Sequence, residues 1–574
     1  MKITLGLLFS LILCIAHGQI VYDFDTIRYS ERITGGLDSI DVKTAYYPSS
    51  FDGGVNELSF RTFSVNNHVN QLLNPTFQPE IFWNSMHFSA LPHLGFSYSI
   101  GQQGCQFLRA NYTHAITEKL ILDVEYERNS GQGAIRNAGF SNDNVKLQVQ
   151  RKGIRYAFQL KGAFQSYNNN HSGGLRTDSL INDFGLEFSP VYKINATSRN
   201  RAAEVRFKNY LDVLKDSSTM LGLVSNHVYK IRNRIYSEND TLYGIYSSIY
   251  IDSNNTSDQY NVAQINNGAG VYFSSRKFYI DALLEHGYWR YQNLGLNTDT
   301  NEVDLTSNAF LHLKFLKVEN EIVFNFIGRF NEFKERASVK YSYRDIEVAA
   351  FLRFESRAPS VLQRKYFSNT ASYLTSNLEN QGVFQFGANA SYGFLDDKIK
   401  LSLFADLASV SNPYLFTDTI WLNTTGNYNF SSFGLRSAFR FGVFNFNPSF
   451  IYSPNSINYI PELQAYGRIF VKGKLFKAKK LEALIGVDLS FVSKYESRAY
   501  LPVMDTYNWT STLNNSGNVF NMHAFLSLGI SEFRFFVRYE NIGYFWSDKT
   551  TQTIANYPIS PARLRIGLTW DFFN

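Results

Sequence analysis

Long stretches of the chain alternate apolar and polar residues, which is the pattern of a β-strand whose two faces meet different environments. The C-terminal segment 563–573 shows it most regularly. Its apolar face is formed by Leu564, Ile566, Leu568, Trp570 and Phe572. Its polar face carries Arg563, Arg565, Gly567, Thr569 and Asp571. Since an apolar strand at a chain end invites aggregation unless it is paired, we expect it to pair with the first strand of a closed barrel.

The alternation starts near Leu91 and continues along the rest of the chain. It is regular in the segments 120–127, 145–150, 154–161, 203–207, 278–284, 322–326, 337–343, 399–403, 485–491 and 533–539. In a barrel surrounded by lipid, the apolar faces point outward and the polar faces line the lumen. A secreted β-sandwich would alternate in the same way, so this pattern alone leaves both architectures open.

The connections between these segments are short and long in turn. The short ones are 116–118, 151–153, 216–219, 274–277, 344–345, 395–397, 477–480 and 529–531. The long, polar ones are 129–142, 166–201, 237–264, 292–306, 358–380, 411–429, 496–518 and 543–560. Short periplasmic turns and long extracellular loops are typical of outer-membrane barrels. The sequence therefore predicts an all-β protein, a transmembrane antiparallel β-barrel, rather than a sandwich.

The number of strands follows from the length of a typical hairpin. Two strands, a short turn and a long loop take roughly 45 residues, which gives about 22 strands after Leu91. Merging the weakest segments, 94–101 and 433–452, lowers the estimate to about 18. Because both ends of the barrel are expected in the periplasm, the number must be even.

The N-terminus reads as an export signal followed by a segment of different character. Residues 1–18 combine a basic start, an apolar stretch and small residues before Gln19, so we expect cleavage near Gly18. Residues 19–91 lack regular alternation, and we expect them to lie in the periplasm or inside the lumen. Residues 92–574 would then form the barrel, in the outer membrane of a Gram-negative bacterium.

Composition supports this interpretation and excludes others. Phe 50 and Tyr 37 bring aromatic residues to 16%, which suits the aromatic girdles of a membrane barrel. No apolar run has the length of a membrane helix, and the mean hydropathy is −0.23. Of the cysteines, Cys105 alone follows the signal, so no internal disulfide is expected. The net charge of +6 includes no basic tract, so nucleic acid is not an expected partner.

Four short segments carry a family signal: 136–140 (Arg-Asn-Ala-Gly-Phe), 171–174 (His-Ser-Gly-Gly), 557–558 (Tyr-Pro) and the terminal 565–574. In these segments the chain resembles the putative porin family of Gram-negative outer-membrane barrels. The terminal segment is the distinctive one. The resemblance implies an integral outer-membrane barrel, and it implies neither a substrate nor catalytic residues.

The sequence contains no catalytic or metal-binding motif. It lacks the His-Glu-x-x-His, Gly-x-Ser-x-Gly and Walker patterns, and no histidines stand in metal-ligand spacing. We therefore expect no enzymatic activity, no cofactor and no metal. A surface enzyme remains an alternative, since loop groups that converge in space would not show in the sequence.

The charged residues on the expected lumen faces are the candidate functional residues. Orienting each apolar face toward lipid fixes the direction of the other face. The predicted pore-lining residues are Asp123, Glu125, Glu127, Lys146, Arg155, Lys161, Arg206, Lys208, Lys230, Arg232 and Arg234. These charges either pair across strands to hold a wet interior together or create a basic lumen that favours anions.

The sequence thus predicts a porin-like channel for passive or semi-selective diffusion of small solutes, with a preference for anions. The alternative is a barrel that serves as a scaffold in protein assembly, secretion or surface attachment. Expected partners are outer-membrane lipid, small solutes and the barrel-insertion machinery. The oligomeric state, the solute and the open or closed state of the pore are left undetermined.

Overall fold

A computed structural model describes most of the chain after residue 90. Within 91–573 it leaves out 179–180, 182–184, 240–245, 247, 330–331, 376, 396–397, 418, 425, 455–459 and 510–513. Before 91 it describes only 28–29, 50–52, 55–56, 81, 83 and 87–88. The predicted signal 1–18 lies outside the described residues, as does most of 19–91.

The described chain forms a closed antiparallel barrel of 22 strands, the upper end of the predicted number. The strands, labelled β1 to β22 in chain order, are His93–Gly101, Gln106–Thr117, Leu120–Gly131, Phe140–Lys152, Tyr156–His171, Ala196–Lys215, Thr219–Glu238, Thr256–Ser275, Phe278–Asn293, Leu296–His312, Leu316–Ile327, Phe333–Tyr343, Ile346–Arg357, Gln381–Phe394, Ile399–Ser411, Asn427–Phe441, Phe444–Tyr452, Leu463–Leu475, Leu481–Val492, Val519–Ile530, Phe533–Glu540 and Arg563–Phe573. The weakly patterned segments near 94–101 and 433–452 are true strands.

The barrel closes as the sequence predicts, because the last strand pairs with the first. Leu568 of β22 lies opposite Tyr98 of β1. The outward faces are apolar: Leu284, Leu403 and Ile485 are 58%, 61% and 58% exposed on the isolated chain. So many exposed apolar side chains need a lipid environment to be stable. The described residues contain no helix with the length and apolar character to cross a bilayer.

Several predicted loops are shorter in the structure because the strands continue through them. β6, β7 and β8 each span 20 residues, about twice what a bilayer requires. The predicted loop 292–306 is wrong, since β9 and β10 leave only 294–295 between them. Outward residues there, such as Asn297 and Asp299, are polar and exposed. Beyond the lipid the outward face of a strand meets water and no longer needs apolar residues, so the alternation ends although the strand does not.

On the opposite side the turns are short. Two of them, 313–315 and 442–443, were missed by the sequence analysis. The second is tight because Gly442 adopts a φ of 61°, which an L side chain disfavours. With these two turns added, short turns join the strands at this end around the whole barrel, whereas the connections at the other end range from two residues at 294–295 to the long loops.

The long loops fold inward over the extracellular mouth. Their described residues include a short α-helix, α1, at Val361–Arg364, and the 3-10 helices Leu186–Phe188 and Ile542–Phe545. They also contain the strand pairs Lys365–Phe367 with Ser372–Leu374, Tyr414–Thr417 with Ile420–Asn423, Tyr495–Ser497 with Asn514–Ser516, Ala499–Leu501 with Thr506–Asn508, and Gln552–Ile554 with Tyr557–Pro558. We call loops 132–139, 172–195, 358–380, 412–426, 493–518 and 541–562 the mouth cap.

Two hydrophobic clusters hold the mouth cap together. One joins Ile135, Leu175, Tyr500 and Tyr557, which come from four different loops. The other joins loop and wall, with members that include Tyr260, Tyr291, Tyr366, Tyr373, Phe416 and Trp421. Burial of large apolar and aromatic side chains stabilises these loops, each contributing about 1.5–3 kcal/mol. The cap is therefore a packed layer rather than a set of solvated loops.

Candidate binding cavity at the extracellular mouth

The basic row predicted on β6 and β7 does face the lumen. Arg206 and Lys230 both pair with Glu204, and the distance from the Lys230 Nζ to a Glu204 carboxylate oxygen is 3.4 Å. Lys208 lies 3.7 Å from the Asp281 carboxylate on β9. Asp281 is a partner that the sequence did not suggest, because β6 and β9 are not adjacent. Part of the row is thus neutralised by cross-strand pairing.

Arg234 has a structural role that its sequence position does not reveal. The side chain is 3% exposed and donates hydrogen bonds to the backbone carbonyls of Pro502 and Val503, the latter at 2.7 Å. Val503 also packs against Tyr236 on the lumen face of β7. The guanidinium of Arg234 therefore holds the tip of the hairpin 499–508 against the barrel wall through these hydrogen bonds.

The acidic row on β3 also faces the lumen, and its central residue Glu125 forms ion pairs with residues of the two neighbouring strands. Glu125 accepts from Arg109 at 2.8 Å and from Lys146 at 3.2 Å. Asp123 and Glu127 lie on the same face, two residues to either side of it. Arg109 was not among the predicted residues, although its position on β2 opposite Glu127 suits a cross-strand pair. This row belongs to a different sector of the wall from the basic row.

Lys161 faces the lumen next to a residue of the N-terminal segment. Its ammonium group lies 5.6 Å from the centre of the Trp83 ring. The Trp83 indole nitrogen donates to Glu204 at 2.9 Å. Trp83 therefore contacts the lumen wall. The prediction that 19–91 is a separate periplasmic or lumen-inserted segment stays a prediction, since most of it is not described.

Arg155 does not line the lumen, and its prediction as a pore residue is corrected. β4 ends at Lys152 and β5 begins at Tyr156, so Arg155 lies in the connecting turn. Its side chain is exposed. The alternation that assigned it to the polar face holds only within a strand, and here the strand begins one residue later.

The basic residues Lys230, Arg232 and Arg234 of β7 line a cavity of about 360 Å³ beneath the mouth cap. β7, β8, β9 and β10 form one side of it, and the loop 358–380 forms another. Its basic lining residues are Lys230, Arg232, Arg234, Arg329, Arg357 and Arg364. Its aromatic lining residues are Tyr260, Trp289, Tyr291, Tyr366, Tyr373 and Trp421.

Half of this basic lining was missed by the sequence analysis. Arg329 lies in the connection after β11, Arg357 ends β13, and Arg364 ends α1. Arg357 reaches the cavity from the wall, whereas Arg364 reaches it because loop 358–380 folds back over the lumen. A sequence signal was the presence of Arg357, Arg364, Tyr366 and Tyr373 within 17 residues, almost all of them in the stretch predicted as a long polar loop.

The carboxylates near the cavity are held by Arg329. Glu302 accepts from Arg329 at 2.7 Å and from the Trp289 indole at 2.9 Å. Glu332, in the connection 328–332, lies 2.9 Å from the Arg329 guanidinium. Burial raises the pKa of Glu332 to about 7, against the opposing effect of Arg329. Near neutral pH this carboxyl is therefore partly protonated.

The described residues contain no cluster of three or more His, Cys, Asp or Glu side chains arranged to hold a metal ion. The cavity instead offers cations, hydroxyl groups and aromatic faces. Such a lining suits a small organic anion better than a cation.

Comparison with known proteins identifies a family. A family model described as "Putative porin" matches residues 89–574, which includes every barrel strand. No curated protein matches the chain.

The barrel is also similar to solved structures of outer-membrane receptors. The siderophore receptor PirA from Acinetobacter baumannii aligns with a TM-score of 0.59 at 9% identity, covering 85% of this chain and 81% of that one. The FrpB iron transporter from Neisseria meningitidis, F3-3 variant, gives 0.56 at 9% identity, with 84% and 82% covered. The ferric-catecholate import receptor Fiu from E. coli K12 gives 0.56 at 10%, with 85% and 83% covered. At such identities the likeness concerns the fold alone.

Proposed function

The chain belongs to the putative porin family of outer-membrane barrels, and from that premise we propose that it is a channel for semi-selective diffusion of small anionic solutes. One observation carries the proposal: the basic residues that line the cavity beneath the mouth cap. A lumen lined by cations concentrates anions and repels other cations, because the low-dielectric wall preserves the field. The proposal assigns no catalytic reaction to the chain.

The packed mouth cap favours semi-selective over unrestricted diffusion. Lumen-facing polar residues such as Gln385, Asp488 and Arg538 are buried, which the wall of a wide aqueous pore would not be. Barrels of this size in known transporters have a filled lumen, whereas open porins use fewer strands. The neighbours of similar fold are described as siderophore receptors and iron transporters. Solute-specific uptake by those proteins is consistent with the proposal, and the sequence identity of 9% is too low to transfer a substrate.

Reconstitution of the full chain in a planar bilayer tests the proposal. We expect a small conductance whose reversal potential in a potassium chloride gradient indicates anion preference. The preference should weaken as salt rises, because the Debye length falls from about 10 Å at 0.1 M to about 3 Å at 1 M. Replacing Lys230 and Arg232 together by Gln should move the reversal potential toward cations. Arg234 is left intact in this test since it holds the loop 493–518.

A cation-selective channel, or a reversal potential that the double substitution leaves unchanged, would contradict the proposal. The alternative function is a scaffold for protein assembly, secretion or surface attachment, and the packed cap is compatible with it. A scaffold needs no conductance, so a correctly folded barrel that stays shut under all conditions would favour it.

A further inference from the structure

The cavity beneath the mouth cap has the features of a built ligand site. Among the described residues that line it, Glu302 is the one carboxylate, and it is already bonded to Arg329 and Trp289. The surrounding basic residues therefore leave an excess of positive charge. A recessed surface of low dielectric constant strengthens the attraction of that excess for an anion.

Arg232 is the cation best placed to bind such an anion. Lys230 pairs with Glu204, and Arg234 is engaged by the carbonyls of Pro502 and Val503. Within the described part of the chain, no carboxylate lies within ion-pair distance of Arg232, and the side chain is only half-buried. A guanidinium presents a planar fork of donors that fits a carboxylate or phosphate.

The buried hydroxyl group of Tyr291 is a second feature that points to a ligand. Tyr291 is 3% exposed, and its hydroxyl oxygen has no hydrogen-bond partner among the described residues. Buried polar atoms are nearly always bonded, so an unpartnered one beside a cavity points to a ligand group. Thr298, Thr300, Ser360 and Gln264 add hydroxyl and amide groups to the same lining. These groups suit a ligand with several hydroxyls.

The size and the apolar part of the lining favour a ligand larger than a bare inorganic anion. Val262, Leu362 and Met504 line the cavity together with the aromatic rings. At about 360 Å³ the volume is in the range of small-molecule sites, and it is many times the ~30 Å³ of one water. Chloride or phosphate would contact only a small part of this lining. A ring-sized molecule would contact more of it and lie against the aromatic faces.

We therefore propose that this cavity binds a sugar acid, a hydroxylated ring that carries a carboxylate. The carboxylate binds Arg232, the ring packs against the aromatic side chains, and one hydroxyl pairs with the Tyr291 hydroxyl. This assignment rests on the proposed channel function and names its substrate class.

Calorimetric titration of the full chain in detergent tests the site directly. The probes are D-glucuronate, D-galacturonate and D-mannuronate, with D-glucose, D-galactose and D-mannose as their neutral counterparts and inorganic phosphate as the bare anion. We expect at least one hexuronate to bind at least tenfold more tightly than its neutral hexose and than phosphate. Equal affinity for acid and neutral sugar, or no hexuronate binding, overturns the assignment.

Three variants locate the binding. Arg232→Gln should weaken hexuronate binding roughly ten- to a hundredfold, as expected for loss of a charge-assisted hydrogen bond. Tyr291→Phe should weaken it roughly three- to tenfold, and it should leave the fold intact because the lost hydroxyl has no protein partner in the described structure. Lys340→Gln is the matched control: this lumen-facing lysine pairs with Glu347 near the periplasmic end. Binding that all three leave unchanged would place the ligand elsewhere.

The titration tests the sugar-acid site and the bilayer experiment tests the channel, so either proposal can fail without the other. Hexuronate binding in a barrel that does not conduct would retain the site and reject the channel. Anion-selective conductance without hexuronate binding would retain the channel and reject the sugar acid. Where both succeed, hexuronate should also interrupt the chloride current, and Arg232→Gln should shorten the interruptions.

Discussion

At the scale of single residues, a position on the lumen face does not define a role. Arg232 and Arg234 lie two residues apart on the same face of β7. Arg234 is fastened to loop carbonyls and is structural, whereas Arg232 is directed at the cavity. The alternation that identified both as inward-facing could not separate them, because the separation depends on a loop that lies 268 residues away in the chain.

The lipid-facing side of β22 gives a prediction about stability. Leu568→Arg should cost about 2–4 kcal/mol of unfolding free energy if the residue lies near the middle of the bilayer. Urea denaturation of the reconstituted barrel measures the change. The control is Thr569→Glu on the lumen face, where Arg534 of β21 lies directly opposite and can pair with the new carboxylate. Equal costs at the two positions would show that the two faces have been assigned wrongly.

Glu332 gives a prediction about pH. A carboxyl whose pKa rises on folding stabilises the folded state below its ordinary value of 4.5, and that stabilisation is lost as pH rises through about 7. We therefore expect the connection 328–332 to open more readily at pH 8 than at pH 5. Glu332→Gln cannot ionise and should remove the difference.

Hydrogen exchange measures this opening when wild type and variant are compared at the same pH. At pH 5 the two proteins should exchange alike in 328–332, and at pH 8 the wild type should exchange faster. Glu347→Gln, a change at an exposed carboxylate paired with Lys340, serves as the control. Identical exchange of wild type and Glu332→Gln at both pH values would be incompatible with the raised pKa.

At the scale of elements, the strands and loops have separate tasks. The strands satisfy their backbone hydrogen bonds around the closed sheet, which makes the wall rigid. The loops pack through side chains, so they are the parts that can open. The hairpin 499–508 is the clearest case, because its tip is held by Arg234 and by the packing of Val503 and Met504.

We expect Arg234→Gln to loosen this hairpin and to raise the single-channel conductance. The variant loses two charge-assisted hydrogen bonds, each worth about 1.5–3 kcal/mol. Arg232→Gln removes the same charge without touching the hairpin, so it should alter ion preference but leave the conductance nearly unchanged. If both variants conduct alike, the hairpin does not control the opening.

At the scale of the whole molecule, part of the barrel interior is occupied by the protein's own chain. The mouth cap covers the extracellular end, and Trp83 of the N-terminal segment contacts the wall through Glu204 and Lys161. In the channel proposed above, these segments restrict the passage through a barrel of 22 strands. Its selectivity would then depend on which of these segments move.

Deletion of residues 19–91 after the signal should leave a folded barrel with higher conductance. The wall needs none of these residues for closure, since β22 pairs directly with β1. Bilayer recording measures the conductance, and resistance of the unboiled protein to detergent unfolding on a gel reports the fold. Trp83→Ala is the milder variant and should change conductance in the same direction. A product that does not fold would make the segment a part of the wall.

The sequence by itself determined the wall of this protein. Leu564, Ile566 and Trp570 alternate with Arg563, Arg565 and Thr569 because each strand must separate lipid from the interior at every second residue. That requirement is local, so it appears in any short stretch. It predicted the barrel, its closure, and the inward direction of Lys208 and Arg232.

Only the tertiary structure decided what the interior contains. The cavity unites Arg232 from the wall with Arg329, Arg364 and Tyr366, which lie in connections whose sequence carries no periodic pattern. The extracellular ends of β6 to β10 could not be recognised as strands from the sequence for a related reason. On the extracellular side of the lipid the outward face need not be apolar, so the alternation stops there. Which loops fold inward depends on contacts between distant segments such as Arg234 and Val503, and no local pattern records them.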